Sequence, residues 1–175
     1  TGYTYDTGVR EITVNVTDEG GVLKAEWMVN GETAESVEFA NNYKPASVSI
    51  ELPVSKKITG NATPEDKVFT FHLTAKDNAP MPAQGGETVT VTGEGKATFG
   101  KISYEAAGEY AYTVEEIAGN DHGYGYDSAV HTVLVTVTDE DGMLKAEWTL
   151  DGEKAESVEF VNVYAPDSAM LSIPV

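Results

Sequence analysis

The sequence contains no cysteine, so neither a disulfide nor thiolate chemistry is available to it. Positive charge is scarce: 11 Lys and Arg stand against 29 Asp and Glu, for a net charge of −18 and a pI near 4.3. Such a chain lacks the basic footprint that nucleic acid or an anionic membrane surface requires. No apolar run approaches the roughly 18 residues of a membrane-spanning helix. The histidines, His72, His122 and His131, fall on separate segments without metal-ligand spacing, and the Thr138-Asp139-Glu140-Asp141-Gly142 stretch lacks the spacing of a calcium loop. No catalytic triad, phosphate loop or cofactor motif is present, which argues against a conventional enzyme. Initiator Met, secretory leader and anchoring motif are likewise missing, and the chain is expected to be an excerpt of a longer polypeptide.

What is present is a globular composition, 41% hydrophobic over 175 residues, enough to bury a sizeable core. The chain also repeats itself. Residues 1–54 align without gaps on residues 122–175, and 30 of those 54 positions are identical. The chain is therefore read as an array of modules with a repeat of 121 residues. The Tyr-x-Pro linkers, Tyr43-Lys44-Pro45 and Tyr164-Ala165-Pro166, mark the boundaries, since proline ends a strand. Residues 1–46 are then the rear part of one module, residues 47–166 a complete one, and residues 167–175 the first strand of a third.

Nearly everything in the complete module reads as strand. Ile50, Leu52, Val54, Lys56 and Ile58 alternate with mostly polar neighbours, predicting one strand over residues 50–58. Residues 68–73, 88–92, 97–102, 109–116, 130–138 and 144–150 give further strands. Asp151-Gly152 is a hairpin signal leading into a last strand over residues 157–164. Residues 76–86, with Pro80 and Pro82, form an irregular loop. Seven or more short strands separated by turns predict an all-β fold, a β-sandwich of immunoglobulin-like type in tandem modules.

Three of these strands carry one polar residue on an otherwise apolar face. Lys56 shares parity with Ile50, Leu52, Val54 and Ile58; Glu116 with Tyr110, Tyr112 and Val114; Asn162 with Val158, Phe160 and Tyr164. The same parity sends Lys57 and Glu115 to solvent. Burial lowers the pKa of a lysine and raises that of a carboxylic acid. A neutral amine is a nucleophile, and a protonated carboxyl can donate to a carboxamide carbonyl and polarise it. Attack of the Lys56 amine on the Asn162 carboxamide, with proton transfers through Glu116, would expel ammonia and leave an amide. Two readings stand on residue parity: this reactive trio, or polar groups that lie at strand ends and stay hydrated.

The motifs around the trio are similar to a known family. Val54-Ser55-Lys56-Lys57-Ile58-Thr59-Gly60 fits a first-strand pattern V-x-K-x-h-x-G, where h is apolar, and an F-x-F strand follows as Phe69-Thr70-Phe71. Gly108 to Glu116 fits G-x-Y-x-Y-x-h-x-E, then come the pair Tyr126-Asp127 and the closing F-x-N-x-Y as Phe160-Val161-Asn162-Val163-Tyr164. In this order the motifs resemble the streptococcal-type pilin isopeptide-linkage domain of Gram-positive major pilins and surface adhesins. The resemblance implies a collagen-adhesin B-type sandwich, a Lys56–Asn162 crosslink with Glu116 as catalytic carboxyl, and no cofactor or metal. It also implies a structural stalk at the cell surface, with neighbouring modules and sortase-linked assembly as its partners. Residues 1–46 keep Asn41 of the motif but carry no lysine or glutamate strand, so Asn41 is an equivalent without partners. Lys44 lacks the motif of a sortase acceptor and reads as a linker lysine. Trp27 and Trp148 read as packing residues. A ligand-binding adhesin domain contacting a host glycan or protein is the alternative, but the loop over residues 76–86 holds no aromatic or basic cluster to support it.

Overall fold

The pleat of a strand places alternate side chains on opposite faces, and in the stretch Val68-Phe69-Thr70-Phe71-His72-Leu73 every second one is buried. The same alternation holds through Val133, Val135 and Val137, and through Val158, Phe160 and Asn162. The computed structural model describes residues 2–62, 64 and 66–171 and divides into two units, Thr1–Lys44 and Pro45–Val175. Among the described residues there is no helix.

In the first unit, β1 (Tyr3–Thr4) pairs with β5 (Asn42–Tyr43), while β2 (Ile12–Asp18), β3 (Leu23–Val29) and β4 (Glu32–Thr33) form an antiparallel sheet. Its turns are built by local chemistry. Asp18 Oδ1 accepts the Gly21 N–H at 2.8 Å, and Asn30 and Gly31 take positive φ angles of 49° and 83°. One face of this sheet, with Val14 and Val16, is exposed.

The second unit contains β6 (Val48–Ile50), β7 (Pro53–Gly60), β8 (Val68–Ala75), β9 (Thr88–Thr92), β10 (Gly95–Thr98), β11 (Ile102–Tyr104), β12 (Gly108–Ile117), β13 (Tyr124–Gly125), β14 (Val130–Glu140), β15 (Met143–Leu150) and β16 (Val158–Tyr164). One sheet has the order β10-β7-β16-β13 and the other β15-β14-β12-β8-β9, with β6 and β11 as a separate pair. Val54, Val158 and Phe160 of the first sheet share one core with Phe69, Phe71, Leu73, Val114, Val133 and Val135 of the second. Each such side chain contributes about 1.5–3 kcal/mol when fully buried. The result is the expected all-β sandwich.

Three details depart from the sequence reading. The single strand expected over residues 50–58 is two, β6 and β7, and the one expected over 97–102 is likewise split into β10 and β11. Both breaks lie at one corner of the same antiparallel ribbon. There Phe99 N–H bonds to Leu52 O at 3.0 Å, and Gly100 packs so closely on Gly86 that an added Cβ would sit 2.9 Å from its Cα. Asp151-Gly152 does make a tight turn, with φ angles of 51° and 89°, but its pairing stops at a Leu150–Glu153 bridge and the chain crosses to the opposite sheet as β16. The strand expected over 167–175 is not seen in residues 167–171, and residues 172–175 lie outside the described residues.

Candidate functional site

β7 and β16, the strands that carry Lys56 and Asn162, are parallel neighbours. Lys56 is in register with Phe160 and Ile58 with Asn162, so Asn162 lies one strand across and two residues along from Lys56, on the same face. The pairing runs to Gly60, opposite Tyr164. Gly60 has φ +97°, and a Cβ there would stand 2.3 Å from the Tyr164 carbonyl oxygen. That close approach accounts for the glycine closing the first-strand motif. Glu116 comes from the other sheet, on β12, where it pairs with Phe71 of β8.

All three polar residues are in the core: Lys56 is 2% exposed, Glu116 7% and Asn162 0%. Their neighbours go outward to different degrees. Lys57 pairs with Glu159 at the surface at 2.7 Å, whereas Glu115, expected in solvent, is half-buried. Lys56 Nζ donates to Glu116 Oε2 at 2.8 Å, and Asn162 Nδ2 donates to Glu116 Oε1 at 2.6 Å. One carboxylate therefore touches both the amine and the carboxamide. The Phe69 ring lies 4.9 Å from Nζ, and Phe71 and Phe160 pack with ring centroids 5.1 Å apart. Burial in these surroundings pushes the Lys56 pKa down, although the Glu116 carboxylate works against it. The strand-end, hydrated reading does not fit these positions.

The hydrogen bonds correct one sequence expectation. Glu116 does not donate to the Asn162 carbonyl; it accepts from the carboxamide N–H, and Asn162 Oδ1 instead accepts the backbone N–H of Asp127 at 2.7 Å. The reason is a matching of donors to acceptors. The carboxylate serves two N–H donors, and the carbonyl takes the one backbone donor that reaches it. Asp127 was legible only as half of the Tyr126-Asp127 pair, with no role attached. Its carboxylate accepts the Ala129 N–H through Oδ1 at 2.9 Å and the Val161 N–H through Oδ2 at 2.9 Å. Burial works to raise its pKa, but these two N–H donors, with Lys56 and His131 nearby, outweigh it and hold the value below the ordinary one.

Asn41 is exposed in the first unit, and its Oδ1 accepts the Asp6 N–H at 3.0 Å. The lysine and glutamate strands have no counterpart in that unit. The profile of a domain family described as Spy0128-like isopeptide containing domain (FctA) matches residues 1–44 and 52–165. The chain belongs to this family.

This Spy0128-like chain is also similar in fold to solved pilins. The major pilin T-13 of Streptococcus pyogenes superposes with a TM-score of 0.50 at 19% identity, covering 67% of this chain and 53% of that one. Another major pilin of Streptococcus pyogenes gives 0.44 at 18% identity, covering 66% and 50%. The Spy0128-like chain thus spans about half the length of the pilin structures it matches. No curated protein sequence matches it.

Proposed function

We propose that the chain is a shaft module of a bacterial surface pilus, made resistant to force by an amide bond that Lys56 forms with Asn162 through Glu116. The observation that carries this reading is the single buried carboxylate bridging amine and carboxamide at 2.8 and 2.6 Å. Transfer of a proton from Nζ to Oε2 along the existing hydrogen bond leaves a neutral amine, which the lowered Lys56 pKa favours. The amine adds to Cγ of Asn162. Glu116, already in contact with Nδ2 through Oε1, delivers a proton to that nitrogen, and ammonia leaves as the Cγ–Nδ2 bond breaks. Of the two protons still on Nζ, one passes to the regenerated Glu116 carboxylate and the other stays as the amide N–H that links the two strands. Proximity of groups held this way is worth up to about 7–11 kcal/mol of barrier. Each chain reacts once, so the process is autocatalytic crosslinking and not turnover.

The mechanical consequence supports the shaft role. The linked residues lie 106 positions apart, on β7 and β16 of the second unit. Tension entering near Pro45 and leaving near Tyr164 passes directly across the bond, and the strands between are bypassed. Repetition of modules adds length. Family membership is consistent with an extracellular, cell-surface location on a Gram-positive bacterium, in assemblies of repeated modules joined by sortase. Intact mass of the purified chain is the direct test: amide formation removes one ammonia, roughly 17 Da, and tryptic peptides bearing Lys56 and Asn162 are expected as one branched species. An unmodified mass would remove the bond from this reading.

A further inference from the structure

The reaction above leaves one requirement unmet. As Nζ adds to Cγ, negative charge develops on Asn162 Oδ1 inside a core, where a preset donor is worth far more than in water. The Asp127 N–H is bonded to that oxygen. It lies on the loop between β13 and β14, which has no strand ladder to aim it. The carboxylate of the same residue provides the hold. One oxygen closes a turn on Ala129 N–H, and the other reaches Val161 N–H, the residue next to Asn162. A single side chain thus fastens the loop to β16 beside the acceptor.

The internal repeat supplies a second, independent instance. In the first unit Asp6 N–H bonds to Asn41 Oδ1 at 3.0 Å, Gly8 N–H to Asp6 Oδ1 at 2.7 Å and Ala40 N–H to Asp6 Oδ2 at 3.2 Å. These are the aligned positions of Asp127, Asn162, Ala129 and Val161. The arrangement forms there without lysine or glutamate partners, so it is not a by-product of the trio.

We propose that Asp127 is a positioning residue for the linkage: its carboxylate fixes the loop so that its own N–H polarises the Asn162 carbonyl and receives the developing oxyanion. Asp6 sets Asn41 in the same way. Asp127 exchanges no proton; the Nζ–Cγ bond forms, the Cγ–Nδ2 bond breaks, and protons move only through Glu116. The inference rests on the Lys56–Asn162 reading.

The test follows the loss of ammonia by intact mass over time in the full chain and in Asp127→Ala and Asp127→Asn. Thermal melting of Glu116→Ala and of the Glu116→Ala, Asp127→Ala double variant runs alongside. Wild type is expected to be fully linked on isolation. Asp127→Ala keeps the backbone N–H but loses its hold, and is expected to link at least about tenfold more slowly. Asp127→Asn retains one acceptor oxygen and should fall between. In the unlinked Glu116→Ala background the Asp127→Ala change should barely move the melting temperature, and in ¹³C-asparagine samples it should raise a carboxamide stretching frequency as the hydrogen bond to Oδ1 weakens. Asp127→Ala found fully linked on isolation, as wild type is, would overturn the proposal, as would a collapse of the double variant's melting temperature that accounts for the lost linkage. If wild type itself shows no loss of ammonia, the crosslink reading fails instead, and the infrared comparison still decides whether Asp127 holds the carbonyl.

Discussion

Residues 3–43 and 124–164 are two copies of one repeat, identical at 25 of 41 positions, in two environments. Val135 is fully buried while its counterpart Val14 is 58% exposed, and Phe160 is fully buried while Phe39 is 58% exposed. The last strand diverges most. S-V-E-F-x-N-x-Y makes the seven-residue β16 in the second unit, where β7 pairs along its whole length, but yields only Asn42–Tyr43 as strand in the first. Turn and loop chemistry, by contrast, is the same in both. Asp18 and Asp139 each accept the N–H three residues on, at 2.8 Å, and Asp6 and Asp127 hold their asparagines alike. Hydrogen bonds between residues of the repeat itself are thus encoded within it, whereas the last strand depends on a partner outside it, β7.

The largest way to break this comparison is Lys56→Ala, which takes away the proposed partner of Asn162 and leaves it, like Asn41, without a lysine. Removing a crosslink that closes about 100 residues is expected to cost roughly 4–5 kcal/mol by analogy with a disulfide. Single-molecule pulling across residues 45–166 should show no full-length unfolding step in wild type and release of most of the folded length in the variant. Equal extension of the two would remove the mechanical role. Glu116→Gln comes next. It keeps the shape of the site but not its proton transfers, a loss of roughly 10²–10⁴ in rate for this kind of catalysis, so the purified variant should retain the ammonia while staying folded. Glu115→Gln should link as wild type does; failure there would point to the wrong carboxyl.

A smaller effect is expected from Gly60→Ala. The new Cβ meets the Tyr164 carbonyl at a positive φ, which should destabilise the end of the β7–β16 pairing by more than about 1 kcal/mol. Hydrogen exchange should then rise at Asn61 and along the end of β16, with the first unit unchanged. The smallest effect concerns pH. The backbone N–H donors of Gly8 and Ala40 hold the Asp6 pKa below its ordinary value, and Asp127 is lowered too, against the opposing effect of its burial. A depressed carboxylate contributes fully above the unfolded value of about 3.9 and is lost as pH falls through the folded one. The Gly8 and Ala129 amide shifts should therefore each titrate with a midpoint below that of a free aspartate.

Strands and the buried trio were legible because both follow from a period of two: parity along residues 54–58, 110–116 and 158–164 is enough to send Lys56, Glu116 and Asn162 inward. The corner at residues 51–52 and 99–101 was not, since it arises from a glycine-on-glycine contact between segments distant in sequence. The orientation of the Asn162 carboxamide depends on which groups the opposite sheet and loop present, and Glu115 is half-buried on the outer face of its own sheet, flanked there by His72 and Val130. The part played by Asp127 escaped because the acting group is a backbone N–H, which every residue but proline carries. What could have pointed to it is the persistence of Tyr-Asp in both copies where flanking residues change.

The parallel pairing of β7 with β16 also sets an order of events. β7 is made first and must wait through two sheets' worth of chain before β16 can lie beside it, a long-range closure of the kind that slows folding. Until that happens Lys56 has no Asn162 within reach. The proposed bond would therefore be made only by chains that have finished, and once ammonia had left, the two ends of the module could not drift apart again. With that bond a reversible folding equilibrium would become a one-way step, and each crosslink would be a permanent record that its module closed correctly.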